Sequence, residues 1–571
     1  MYYNDKKGTA AKTYDAIVVG TGISGGWAAK ELCEKGLNTL VLERGRMVKH
    51  VEDYPTMWKT PWMLPNRGQT PTAELETTYP KQSRTGYTIQ EATKHWFVKD
   101  TEHPYSETKR FDWMRGYHVG GRSLMWGRQS YRWSDLDFEA NAKEGIAVDW
   151  PIRYKDIAPW YDYVEGYAGI SGQKEGLPQL PDGNFLPPME MNCLEKDMAK
   201  RVREHYNDRI LTIGRTAHLT QPHNGRGQCQ SRNACMRGCP YGAYFSSNAA
   251  TLPAAEATGN MTLRPFSIVN QLIFDDKTQR ATGVRVIDTE TKEVHEFYAK
   301  VIFLNASALG STFILMNSKS DRFPDGLGND SGELGHNLMD HHFLVGATGE
   351  SDQFQDKYYV GRRPNGLYLP RFVNLGDAAT KKDYLRGYGY QGRASRENWA
   401  RGVQEMSFGE GLKVDLLEPG PWRFGMTGFG ECLPYHENKA TLTEEVTDAW
   451  GQPTFVFDAE WKENEYKMRE DMANQAAETL EAAGLKNVQP YDRGSYPGLG
   501  IHEMGTARMG RNPKTSVLNA HNQVHACKNV YVTDGACMTS ASCVNPSLTY
   551  MALTARAAEH AAKSLDRGEL G

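Results

Sequence analysis

The sequence predicts a mixed α/β fold in which a parallel-sheet lobe is assembled from both ends of the chain and interleaved with a second lobe. Three observations predict it. A β-branched run at 16–19 leads straight into Gly20-Thr21-Gly22-Ile23-Ser24-Gly25, a second apolar run at 39–42 ends in Glu43, and a late strand pattern at 530–533 ends in Asp534-Gly535. Short continuous apolar runs of this kind suit parallel strands buried on both faces.

Between the first two runs, residues 23–35 carry a helical pattern that stops at Gly36, where a left-handed C′ residue is expected. The result is a βαβ unit. Gly20 allows the tight turn, Gly22 lets the backbone approach a pyrophosphate, and Gly25 lets the helix pack closely on the strand. The amides at Ile23 and Ser24 sit at the positive end of the helix dipole, which favours phosphate. Glu43 stands where a carboxylate binds a ribose diol, with Arg44 beside it. A dinucleotide is therefore expected, but the fingerprint does not separate FAD from NAD.

Composition bounds the rest. A chain of 571 residues allows about four units at about 150 residues each, and fragments at both ends reduce this to two interleaved lobes. Apolar residues are 39 % and charged residues 24 %, which excludes an integral membrane protein and a disordered one. No run reaches the ~18 apolar residues of a membrane helix. Lys+Arg 66 against Asp+Glu 70 gives −4, too little positive field for a nucleic-acid partner.

The C-terminal motifs choose the cofactor. Residues 501–510 (IHEMGTARMG) precede 529–535 (NVYVTDG), and Ser542-Cys543-Val544-Asn545-Pro546-Ser547-Leu548 then opens a helix running to about residue 565. Here the chain resembles the glucose–methanol–choline (GMC) oxidoreductases, which are FAD enzymes. The likeness extends to Gly120-Gly121-Arg122-Ser123-Leu124-Met125-Trp126-Gly127, similar to the family's flavin-contacting segment. It also takes in residues 305–310 (NASALG), similar to its return strand, and 334–341 (LGHNLMDH), similar to the exit from its FAD domain. The resemblance implies a Rossmann-like FAD-binding domain (1–150, 215–335 and 496–571) and a substrate-binding domain with an antiparallel sheet (151–214 and 336–495). It assigns Gly120, Gly121, Ser123, Trp126, Gly127, Val269, Asp534, Gly535, Pro546 and Leu548 to FAD. Met125 stands where some relatives carry a histidine linked to the flavin, so noncovalent FAD is expected. Residues 262–304 read as a β-meander.

Alcohol oxidation requires a base that is neutral at working pH, which suits an imidazole. His502 matches the family's catalytic histidine, and Asn545 its partner, able to hydrogen-bond the alkoxide without competing for the proton. His341 and His342 read more readily as structural.

Nine cysteines are few for this length. Cys229, Cys235 and Cys239 form C-x5-C-x3-C, and three thiols in eleven residues suit a loop around a soft metal centre. Zinc would call on His223 as a fourth ligand, and plain free thiols are the third reading. The spacing resembles the sugar dehydrogenase catalytic subunits of the GMC superfamily, which carry a [3Fe–4S] cluster near the flavin. That resemblance implies a dehydrogenase acting on a sugar or glycoside, of the glucoside 3-dehydrogenase type. Other carbons (glucose C1, gluconate C2, fructose C5) and an oxygen-using oxidase are the alternatives. It implies a cytochrome or other acceptor, and a small subunit carrying an export signal to the periplasm, with the cytoplasm as the alternative. The N-terminal segment lacks the apolar region of a signal peptide.

Overall fold

The computed structural model describes residues 13–359, 364–397, 408–417 and 419–570. Strand β1 (Thr13–Val19) is buried from Ala16 onward. With apolar side chains on both faces it takes the middle of a parallel sheet. Strand β2 (Thr39–Leu42) pairs with it in register Ala16–Thr39, and Val294–Leu304 lies on its other side in register Ala16–Val301. Met261–Arg264 extends the sheet beyond β2, and Cys527–Val532 extends it beyond Val294–Leu304. The antiparallel meander Ser267–Asp275, Arg280–Asp288 and Val294–Leu304 joins the same sheet.

Helix α1 (Ile23–Glu34) packs against the C-terminal helix Ser547–Asp566. Ala28 and Ala29 share a buried cluster with Ala557, Ala558 and Ala561, small side chains that let the helices approach. This contact closes the chain's two ends into one lobe. Gly36 takes φ +82 after the helix, as its C′ position requires. Residues 305–310 differ from the expected strand. The strand stops at Leu304, Ser307 turns at φ +71, and helix Ala308–Asn317 begins at once. The apolar run ends at Leu304, and the Asn305 amide donates to the Val19 carbonyl at 2.9 Å, which ties this turn to the end of β1.

The second lobe is a six-stranded antiparallel sheet in the order Lys486–Asp492, His341–Ser351, Trp422–Glu431, Tyr388–Arg396, Leu367–Leu369 and Thr212–Ile213. Helix Glu463–Ala482 covers one face with Met468, Met472, Ala476 and Leu480, a four-residue spacing that keeps them on one stripe. Each large side chain buried this way contributes about 1.5–3 kcal/mol. A small sheet pairs Pro453–Asp458 with Lys439–Thr447 and, in parallel, with Ser106–Glu107. No helix among the described residues is long and apolar enough to cross a membrane.

One glycine of the first lobe carries a stability prediction. Gly120 sits at φ +91, and a Cβ there would fall 1.6 Å from Asn248 Oδ1. Asn248 is held by hydrogen bonds from its Nδ2 to the carbonyls of Val48 (2.8 Å) and Val119 (3.1 Å). Gly120→Ala is expected to cost about 3 kcal/mol or more in thermal unfolding. Gly36→Ala, also at positive φ but with nothing within 4 Å, is expected to cost about 1 kcal/mol. Equal effects would refute the clash.

Candidate active site

The ends of β1, β2, Val294–Leu304 and Cys527–Val532 open on one cleft of about 440 Å3. That is where an open parallel sheet places its ligand. Gly20, Gly22, Ile23, Ser24, Glu43, Arg44, Gly121, Ser123, Trp126, Gly127, Val269, Asp534, Gly535, His502 and Asn545 all line it. Chain segments hundreds of residues apart thus meet at one site.

The cleft fits a large polar cofactor. A Cβ on Gly22 would meet nothing within 4 Å, so this backbone is open to the cleft. No side chain caps the N-terminus of α1 and no acid stands in its first turn, leaving that end for phosphate. Asn305 Oδ1 and Tyr550 Oη are buried at the cleft without a partner.

Glu43 is buried, and its carboxylate accepts from Thr21 N (3.1 Å), Thr21 Oγ1 (2.5 Å) and Gly45 N (3.0 Å). It braces the fingerprint loop, while burial pushes its pKa above the ordinary value. Arg44 pairs with Asp448 at 2.7 Å and lies 4.7 Å over the Tyr117 ring. Ser311 Oγ donates to Asp534 at 2.6 Å, and burial raises the Asp534 pKa to about 6.

Four assigned positions serve the cleft from behind. A Cβ on Gly25 would strike the Gly20 carbonyl at 2.0 Å, so Gly25 sets the closeness of helix and turn. Gly120 faces Asn248, Pro546 caps the C-terminal helix, and Leu548 turns its side chain into the core. Ser547, between the last two, is the one that lines the cleft.

His502 lies at the far end. Its Nδ1 is 2.9 Å from His341 Nδ1, and His341 Nε2 is 2.9 Å from the Ser542 carbonyl. A carbonyl only accepts, so His341 Nε2 carries the hydrogen. Burial holds the His341 pKa down at about 4, which leaves its Nδ1 a bare acceptor. His502 must then donate from Nδ1, and its Nε2 keeps the lone pair. Burial, then His341 and Arg122, hold His502 well below the ordinary histidine pKa, so Nε2 is a free base at neutral pH. Asn545 Nδ2 stands 3.5 Å from it.

Asp340 anchors the backbone here by accepting from Gly500 N (2.8 Å) and His502 N (3.0 Å). Burial and the nearby Glu503 raise its pKa to about 7. Arg122 grips Glu503 through two hydrogen bonds of 3.1 and 2.8 Å. Among the described residues, Asp340, His341 and His502 form the one group of three with ligand atoms within 4.8 Å of one another. Both His341 nitrogens, His502 Nδ1 and the Asp340 carboxylate are already hydrogen-bonded to one another or to the backbone.

Sequence reasoning named His502 and Asn545, but not the role of His341, nor Gln391 next to Asn545 and Gln129 and Tyr131 behind it. Gln129 follows the GG segment by two residues. Gln391 lies in a strand without a motif, and only the fold brings it here.

Cys229, Cys235 and Cys239 are half-buried on one loop. Burial chiefly, and the two neighbouring thiols, push up the pKa of Cys229. Cys235 Sγ is 3.7 Å from His218 Nε2. His223 Nε2 is 2.8 Å from the Gly166 carbonyl, and among the described residues His223 and the cysteines form no group of three with ligand atoms within 4.8 Å of one another. Met236, next to Cys235, lines the cleft, and Arg128 Nη2 donates to the Cys235 carbonyl at 3.2 Å. The cysteine loop is thus part of the cleft wall.

Two family models match, both described as GMC oxidoreductase, over residues 14–343 and 434–554. A 2-methyl-1,2-propanediol dehydrogenase of Mycolicibacterium austroafricanum is 28 % identical over 97 % of this chain and 96 % of its own. A fructose dehydrogenase large subunit of Gluconobacter japonicus is 25 % identical over 97 % and 98 %. Among solved structures, a formate oxidase of Aspergillus oryzae superposes with TM-score 0.61 at 14 % identity, over 99 % of this chain and 100 % of that one, a likeness of fold. Matched by both family models, and with its βαβ cradle, roofing antiparallel sheet and buried histidine meeting in one cleft, the chain belongs to the GMC oxidoreductase family, whose fold binds FAD.

Proposed function

We propose that this enzyme is an FAD-dependent dehydrogenase that oxidises a secondary alcohol of a sugar or glycoside, with C3 of a pyranoside giving the 3-keto sugar. The observation that carries the chemistry is the His502 Nε2 lone pair facing the cleft beside the Asn545 amide. Bound FAD supplies a two-electron acceptor for the hydride on the carbinol carbon. His502 takes the hydroxyl proton at Nε2, and the Asn545 Nδ2–H group donates to the substrate oxygen as charge develops on it.

Cys229, Cys235 and Cys239 would hold a [3Fe–4S] cluster, which needs three protein thiolates and supplies one-electron transfer out of the site. Their shared loop in the cleft wall supports this reading. The likeness to a protein named as the large subunit of a fructose dehydrogenase supports a partner subunit. An acceptor subunit such as a cytochrome, and export to the periplasm with a signal-bearing small subunit, complete the proposal.

A second reading has its own support. The relative from Mycolicibacterium is named for a small diol. A panel of methyl glucoside, glucose, gluconate, fructose and 2-methyl-1,2-propanediol with a dye acceptor separates the two, with NMR of the product locating the new carbonyl. Methyl glucoside oxidised at C3 is the expected result. Turnover of the diol alone would replace the sugar reading, and stoichiometric peroxide in place of dye reduction would make the enzyme an oxidase.

A further inference from the structure

We propose that Tyr131, Gln129 and Gln391 form a one-way hydrogen-bond chain that orients the Asn545 amide, making Gln391 a positioning residue for the oxidation. The inference rests on the roles given above to His502 and Asn545.

Each link has a set direction. The Tyr131 hydroxyl donates to Gln129 Oε1 at 2.8 Å. Gln129 then turns Nε2 outward and donates to Gln391 Oε1 at 3.1 Å. Gln391 Nε2 donates to Asn545 Oδ1 at 2.8 Å. With its oxygen engaged, Asn545 has only Nδ2–H to present toward His502 Nε2. From the other side, Ser542 and His341 make Nε2 the bare nitrogen of His502. The two arms agree, so a donor of Asn545 and a lone pair of His502 face the same small space. At 3.5 Å their mutual contact is weak. An alcohol oxygen entering beside them can therefore give its proton to Nε2 and accept from Nδ2.

The reversed amide would do the opposite. Its oxygen would face the Nε2 lone pair, two acceptors in contact, and would repel the negative charge developing on the substrate oxygen. Nothing in the shape of an Asn side chain distinguishes the two orientations, so the choice falls to hydrogen bonding. The chain is firmly rooted. Tyr131 is fully buried and stacks on Tyr368 with ring centroids 4.3 Å apart. Gln129 comes from the cofactor-side segment and Gln391 from strand Tyr388–Arg396 of the roofing sheet, so the amide is set correctly only when the two lobes are in register. Hydrogen bonds aligned head to tail polarise one another, which strengthens the final donor.

The test is a double-mutant cycle on the FAD-loaded enzyme, using anaerobic flavin reduction by the best substrate of the panel, with FAD content and far-UV CD as checks on folding. Gln391→Leu is expected to lower the reduction rate about tenfold with KM changed less than about threefold. Asn545→Ala alone is expected to be slower still, and Gln391→Leu added to it is expected to do nothing further. Gln129→Leu should mimic Gln391→Leu and serves in its place if that variant does not fold. Gln391→Glu offers Asn545 only acceptors and turns the amide round. Its rate should fall below that of Gln391→Leu, and the acid limb of its pH profile should move upward, because Asn545 Oδ1 then favours protonated His502. Additive losses in the double variant, or wild-type rates in Gln391→Leu and Gln129→Leu, overturn the chain while leaving Asn545 its role. A wild-type rate in Asn545→Ala would overturn the role of Asn545 and the chain with it.

Discussion

His502→Ala is expected to slow anaerobic flavin reduction by substrate about a thousandfold, with FAD still bound. A positioned general base accounts for about 10²–10⁴ in rate, and nothing else described in the cleft places a bare imidazole nitrogen beside Asn545. The pH dependence follows from the same geometry. Burial, His341 and Arg122 hold the His502 pKa well below the ordinary 6.5, so Nε2 keeps its lone pair on acidification past that value. The acid limb of kcat/KM should therefore lie below pH 6.5, and it should vanish in His502→Ala. Stability shares this sign. His341, at about 4 in the fold, is depressed relative to the unfolded chain. Its contribution is complete above about pH 6.5 and is lost as pH falls toward 4. Flavin bleaching by substrate at the wild-type rate in His502→Ala would end the base assignment.

The second large effect belongs to the cysteine loop. Wild-type protein is expected to contain iron and labile sulfide. Cys235→Ser should lose both and drop dye-coupled turnover at least tenfold, while anaerobic flavin reduction by substrate stays near wild type. The two half-reactions separate because the proposal puts proton removal at His502 and electron exit at a cluster held by the three thiolates. Cys33→Ala, in the core of helix α1, is the control and should keep its iron. Wild-type protein free of iron, or a Cys235→Ser enzyme with full turnover, would remove the cluster from the proposal.

Much of the fold was legible because its signals are local. Burial on both faces makes a parallel strand a continuous apolar run, so β1, β2 and the meander could be placed to within a few residues. Close backbone approach requires glycine, which placed Gly20, Gly22 and Gly25. Residues 305–310 were misread as strand because an apolar run does not announce where its pairing stops. The turn at Ser307 depends on how Asn305 meets the end of β1. Pro546 and Leu548 are read from the sequence through the amides at the helix N-terminus; a helix points successive side chains about 100° apart, so the Leu548 side chain turns into the core while Ser547 lines the cleft.

The sequence by itself determined the dinucleotide cradle, the histidine–asparagine pair and the three grouped thiols, because each depends on residues close in the chain or on a family pattern. Only the tertiary structure decided which nitrogen of His502 keeps its lone pair and which end of Asn545 faces it. Both depend on hydrogen-bond direction, which is set by His341, Ser542, Gln391, Gln129 and Tyr131. Those five lie on separate segments of the chain, and a donor or acceptor acquires a direction only when its partner is in place.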